Sequence, residues 1–198
     1  MSFESMVVIL VSAAVVNNFV LIQFLGICPF LGVSKDMKSA SGMGFAVTFV
    51  MVIASVVTWP IQMFLLEPNG LGYLQTMVFV LIIASLVQFT EIVLKRYVPV
   101  LYKSLGVYLP LMVTNCAIFA VTLLNVQKGY SLIGSIVNAI GAGAGFLLAM
   151  VLFSSIRKHT ENSDPPECFK GAPITLIAAA ILSISFFGFS GVIENLFG

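Results

Sequence analysis

Gly141-Ala142-Gly143-Ala144-Gly145-Phe146-Leu147-Leu148-Ala149-Met150-Val151-Leu152-Phe153 is an unbroken, uncharged stretch, and its reading decides the fold class. A half-buried strand alternates apolar and polar residues; this stretch does not alternate, which selects a helix. It lies in a run near 131–156, longer than the roughly 20 residues that cross a bilayer. Working outward, comparable runs lie near 6–33, 40–66, 72–94, 104–125 and 172–194. In lipid every backbone polar group must be satisfied internally, so unbroken runs of this kind become helices. Composition agrees: 60% of the 198 residues are hydrophobic and only 9% charged, against about 25% charged in soluble domains. The expectation is an all-α integral membrane protein, a single transmembrane domain over 1–198 with six transmembrane helices. The N-terminus lacks the basic region of a cleavable signal. Three scattered cysteines imply no disulfide framework.

The basic residues set the orientation. Lys35, Lys38, Lys95, Arg96, Lys103, Arg157, Lys158 and Lys170 fall in the first, third and fifth connections, and only Lys128 falls on the other side. By the positive-inside rule these three connections face the cytoplasm and both termini face out.

Six spans with both termini outside make spans 1–3 and 4–6 run in opposite senses. The halves echo each other in sequence: Phe24-Leu25-Gly26-Ile27-Cys28-Pro29-Phe30 answers Met112-Val113-Thr114-Asn115-Cys116-Ala117-Ile118-Phe119, and Gly42-Met43-Gly44-Phe45 answers Gly143-Ala144-Gly145-Phe146. The expectation is two inverted three-helix repeats, which place functional groups on helices broken near the midplane. The first run supports this. Residues 5–34 lie between Glu4 and Lys35, more than a straight span needs, and proline removes a helical donor and clashes with the preceding turn. A break near Cys28–Pro29 would absorb the excess, and Pro110 and Asn115 disrupt span 4 similarly. If helical, Cys116 sits about 18–20 Å from Lys103 and from Lys128, close to the bilayer centre.

Cys28 and Cys116 both lie in these uncharged surroundings, and three readings of them stand open. Free cysteine is ordinarily a small buried hydrophobe. A disulfide has no structural need here. In the third reading each half gives one soft thiolate and a partner chain of like design supplies two more, since two thiolates alone complete neither an iron–sulfur nor a structural zinc site. Asn17, Asn18, Gln23 and Asn115 could then donate to cluster sulfurs, or else bond between helices. Cys168, in the fifth connection, reads as a solvated thiol.

Glu91 is the one charge well inside a span. Intramembrane carboxylates belong by default to ion or proton paths, but an i,i+4 pair with Lys95 near the boundary is the equal alternative. No nucleotide loop, catalytic triad or nucleic-acid patch appears, so the chain alone should complete no reaction.

Val16-Asn17-Asn18-Phe19-Val20-Leu21, the stretch from Phe24 through Cys28-Pro29-Phe30 to Lys35, Val87-Gln88-Phe89-Thr90-Glu91, Thr114-Asn115-Cys116-Ala117 and Gly188-Phe189-Ser190-Gly191 closely resemble the A subunits of bacterial Rnf complexes. The E subunits of sodium-pumping NADH:quinone oxidoreductases are the next relatives. The resemblance spans essentially the whole chain. It implies a subunit of a redox-driven translocase in the bacterial cytoplasmic membrane, paired with a paralogous six-helix subunit of opposite orientation and with further Rnf subunits. It also implies a [2Fe–2S] cluster shared by the pair, with Cys28 and Cys116 as this chain's ligands to iron, and electron flow between ferredoxin and NAD coupled to Na⁺ or H⁺ transport. The rival reading is an inverted-repeat secondary transporter without a redox centre; a passive scaffold would leave the polar groups in spans 1 and 4 needlessly expensive.

Overall fold

The computed structural model describes residues 3–16, 18–28, 32, 37–68, 70, 72–97, 115–161 and 171–197. Among these residues the chain is helical and contains no strand. The α-helices are α1 (Phe3–Val11), α2 (Met37–Ile61), α3 (Gln75–Tyr97), α4 (Cys116–Gln127), α5 (Leu132–Glu161) and α6 (Ala172–Phe197). Wide π-turns extend α1 over Ser12–Val16 and α2 over Gln62–Leu66, the latter just after Pro60. Three helical stretches are long and apolar enough to cross a membrane: Ser39–Leu66, Gly72–Val93 and Leu132–Thr160. They coincide with the runs expected near 40–66, 72–94 and 131–156. Cys116–Gln127 and Pro173–Gly188 are shorter apolar helices.

The first apolar run departs from expectation in one respect. The chain leaves the helix well before Pro29: residues 18–26 run as turns, and Ile27–Cys28 is helical again. Proline is the visible breaker in the sequence, but the turns are fixed by tertiary hydrogen bonds that Asn18, Leu21 and Gly26 make with other helices. Pro29 and Pro110 themselves lie outside the described residues.

The core forms where α2 and α5 pack along each other, the most extensive helix pair among the described residues. Phe79 of α3 and Met43, Met51, Phe146, Met150 and Phe153 of the central pair are completely buried. Small residues set the approach. A Cβ on Gly145 would stand 2.7 Å from the Ala14 carbonyl oxygen, and one on Gly141 2.8 Å from that of Leu10. This i,i+4 glycine pair lets the first helical segment lie on α5 backbone to backbone, the role of small residues in membrane helix packing.

The α2–α5 contact is reciprocal. Gly44 of α2 packs on Leu147 of α5, and Gly143 of α5 packs on the Thr48 side chain of α2. As the position rises along α2 its partner falls along α5, so the two helices are antiparallel. Each glycine meets a residue four positions beyond the other glycine. This pairs Gly44 with Gly143, two residues from the register that the sequence echo gives. Outward, Met77, Val80, Leu81, Phe89 and Ile92 of α3, with Ile177, Ile181, Ile184 and Phe187 of α6, are exposed. Such an apolar surface suits hydrocarbon or another subunit.

Candidate functional site

The irregular segment after α1 is tied down at each step. Asn18, with no exposed surface, donates from Nδ2 to the Gly145 carbonyl at 2.8 Å and to that of Ala14 at 3.4 Å. Its Oδ1 accepts the Val20 N–H at 3.1 Å. Backbone bonds run from Ile22 N to Asn18 O and from Leu25 N to Phe19 O, both 2.9 Å, and the Ser183 hydroxyl of α6 donates to the Leu21 carbonyl. Phe19, Val20 and Leu21 are buried and anchor the turns in the core. Non-helical backbone is tolerated in a membrane protein only where protein or a cavity satisfies it, and here protein does.

At the end of this segment the backbone takes two positive φ angles, 55° at Phe24 and 85° at Gly26. Phe24 is exposed, and a bulky residue in the left-handed region is a strained one, of the kind that gathers at functional sites. Glycine accommodates the second angle, and close approach demands it as well. A Cβ on Gly26 would lie 3.1 Å from Ala117 Cβ and 3.2 Å from both Asn115 Oδ1 and Phe146 Cε2. The Gly26 N–H donates to Cys116 Sγ at 2.9 Å. The broken first run thus ends against the start of α4.

That start is locally encoded. Asparagine is among the favoured N-cap residues. Asn115 is extended (φ −72°, ψ 105°), and its Oδ1 accepts the Ala117 N–H at 3.1 Å. Cys116 is consequently the first residue of α4 and projects from a helix N-terminus, where backbone dipoles favour negative charge. Together with the Gly26 N–H, this places positive partial charge beside Sγ. Asn115 is 3% exposed, yet its Nδ2 finds no hydrogen-bond partner among the described residues. A buried donor left unsatisfied costs about 1–3 kcal/mol.

The sequence-predicted residues divide accordingly. Cys116 and Asn115 come together with the segment that leads into Cys28. Cys28 follows Gly26 by two residues, at most about 7 Å of chain; it is exposed, Cys116 is half-buried, and both are free thiols. Asn18 lies one step back, holding the turns rather than the cysteines. Gln23 is exposed, and Glu91 is half-buried in α3, four residues before Lys95. Asn17 and Cys168 lie outside the described residues. The sequence shows Gly26 and Gly145 only as letters of the echo between the halves and gives no sign of Ser183; their roles rest on contacts to distant backbone and side chains that leave no local pattern. Among the described residues no group of three or more His, Cys, Asp or Glu side chains converges as a metal site. Among the described residues Cys28 and Cys116 are the cysteines, both free thiols, and two thiolates alone do not complete an iron–sulfur site.

The chain matches the family model described as Rnf-Nqr subunit, membrane protein, over residues 6–193. It is 53% identical over 188 residues to the A subunit of the Na⁺-translocating ferredoxin:NAD⁺ oxidoreductase complex of Acetobacterium woodii, covering 95% of this chain and 98% of that protein. It is 50% identical over 192 residues to the A subunit of the ion-translocating oxidoreductase complex of Syntrophotalea carbinolica (97% and 100% covered). The corresponding protein of Edwardsiella ictaluri is 49% identical over 186 residues, with 94% and 96% covered. With residues 6–193 matched and half of all positions shared with such relatives, this chain belongs to the Rnf-Nqr family of membrane subunits.

Proposed function

We propose that the chain is the A-type membrane subunit of an ion-translocating ferredoxin:NAD oxidoreductase, and that Cys28 and Cys116 supply two thiolates to a [2Fe–2S] cluster shared with a paralogous subunit. The observation that carries this reading is the Gly26 N–H to Cys116 Sγ contact, which joins the irregular segment after α1 to the start of α4 at a cysteine. The unpaired Asn115 amide beside it fits as a donor to a cluster sulfur, and the helix N-terminus at Cys116 fits an anionic ligand. Bound there, the cluster would supply one-electron transfer at depth. The chain's own residues hold two ligands, present N–H groups to sulfur and exclude water with Phe146 and Ala117, both buried.

The same reading has six spans in two inverted three-helix repeats, both termini outside, in the bacterial cytoplasmic membrane. The reciprocal antiparallel contact of Gly44 with Leu147 and Gly143 with Thr48 supports the inverted repeat, because an in-plane two-fold axis between α2 and α5 generates such a pair. The paralogous subunit lies opposite the exposed Cys28, and the ion carried is Na⁺ or H⁺.

The test is iron content and the reduced-state EPR spectrum of the chain copurified anaerobically with its membrane partner, alongside Cys28→Ser and Cys116→Ser. About two irons per pair, lost in either variant, is the expected result. A correctly assembled pair without iron would return both cysteines to packing and favour a secondary transporter.

A further inference from the structure

Far along the chain from the cysteines, a cavity of about 160 Å³ opens where α2 ends and α4 turns into α5. Trp59, Gln62, Met63, Glu67, Asn125 and Tyr130 line it. The connections that frame it, 67–70 and 126–130, are those that the charge pattern assigns to the outer face. Two of its donors are engaged within the protein: Trp59 Nε1 with the Tyr130 carbonyl at 2.9 Å, and Asn125 Nδ2 with Ser55 Oγ at 3.3 Å and the Ser135 carbonyl at 3.4 Å. Asn138 Nδ2 adds a bond to Asn125 Oδ1 at 2.7 Å. Acceptors are left over. Gln62 Oε1 is buried without a partner among the described residues, Glu67 brings a carboxylate, and the oxygens of Asn125 and Tyr130 each keep a second lone pair.

The π-turn is what assembles these oxygens. The Glu67 N–H bonds the Gln62 carbonyl five residues back, at 3.0 Å. In a regular α-helix residues five apart point about 140° away from each other at 3.6 residues per turn; an i→i+5 closure brings them to one side. Single π-turns inside α-helices occur frequently at functional sites. Lys128 does not occupy the cavity. Its Nζ lies over the Tyr130 ring, 5.8 Å from the centroid, and it lines a separate cavity with Ser12 and Asn138.

We propose that this cavity binds an alkali cation of sodium's class, ligated by Gln62 Oε1 and the Glu67 carboxylate with Asn125 as the innermost oxygen. Hard cations take oxygen ligands, and one carboxylate among neutral oxygens balances a single positive charge rather than two. Binding stands on the local chemistry alone; its role as the outer vestibule of a transport path rests on the ion-translocating function proposed above.

The experiment titrates NaCl against choline chloride at constant ionic strength into the purified complex, reading bound sodium by ²³Na NMR line broadening. Wild type is compared with Glu67→Gln, Gln62→Leu, Glu67→Asp and Lys128→Gln. The expected result is an apparent sodium affinity about tenfold weaker in Glu67→Gln and Gln62→Leu, largely kept in Glu67→Asp and not weakened in Lys128→Gln. Equal affinity in wild type and both weakening variants overturns the proposal, as does wild type without saturable broadening. Iron content and EPR on the same samples report separately on the redox reading, so failure of the one is not mistaken for failure of the other.

Discussion

Substituting Gly26 by alanine probes the contact on which the functional reading turns. At φ 85° an L-residue with a Cβ is disfavoured by about 1–2 kcal/mol. The new Cβ also arrives 3.1–3.2 Å from Ala117, Asn115 and Phe146, so that each must yield by a few tenths of an ångström. Together these cost about 2–3 kcal/mol, within the range for strain at a special backbone position. The strain falls on the peptide whose N–H reaches Cys116 Sγ. A hydrogen bond to a charged group contributes about 1.5–3 kcal/mol, and at a cluster ligand it stabilises the electron-rich reduced form more than the oxidised one. If the two forms lose support that differs by about 1.4 kcal/mol, a one-electron midpoint potential falls by about 59 mV. EPR-monitored redox titration of the purified complex, with iron analysis, measures that fall. Adding Ala117→Gly should recover the share of the crowding that falls on Ala117 and leave the backbone part. A Gly26→Ala complex with full iron, normal assembly and an unshifted potential would refute the reasoning, because the Gly26–Cys116 contact would then lie outside any cluster's surroundings.

Asn115→Ser separates two functions of one side chain: serine keeps the helix cap to within about 0.5 kcal/mol but loses the unpaired amide, so thermal stability should hold while the midpoint potential drops, read by the same titration. Asn18→Leu removes the bonds to Gly145 and Val20 and should destabilise the assembled complex by about 2–4 kcal/mol, seen as a lower unfolding midpoint; an unchanged midpoint would mean the turns are held by apolar anchoring alone. Gly145→Ala meets the Ala14 backbone at 2.7 Å, whereas Gly44→Ala meets only Leu147 at 3.1–3.3 Å. Yield of assembled complex should therefore fall sharply for the first and little for the second, and equal yields would contradict the close approach of the first segment to α5.

What the sequence disclosed and what it hid follow from the range of the forces involved. α2, α3 and α5 were legible because a long apolar run needs no partner to be helical in lipid. Asn115 was legible as a disruption of the fourth run, but not as the N-cap that starts α4. The break in the first run was misplaced because the eye goes to Pro29, while Asn18 on Gly145, Ser183 on Leu21 and Gly26 on Cys116 each span ninety residues or more. The repeat shows the same division. Gly-x-Gly letters in both halves pointed to kinship but could be slid by two, since either glycine of each pair satisfies the pattern. Only the packing selects Gly44 with Gly143, because those two are the ones against which Leu147 and Thr48 close. The outer cavity was least legible of all: Gln62 and Glu67 fall on different sides of an ideal helix, and nothing local announces the π-turn that unites them. Both candidate sites therefore sit where the helical period fails, one at a chain break and one at a widened turn. In a bundle whose regular helices expose little but hydrocarbon, those failures are where backbone and side-chain polar groups become available for chemistry.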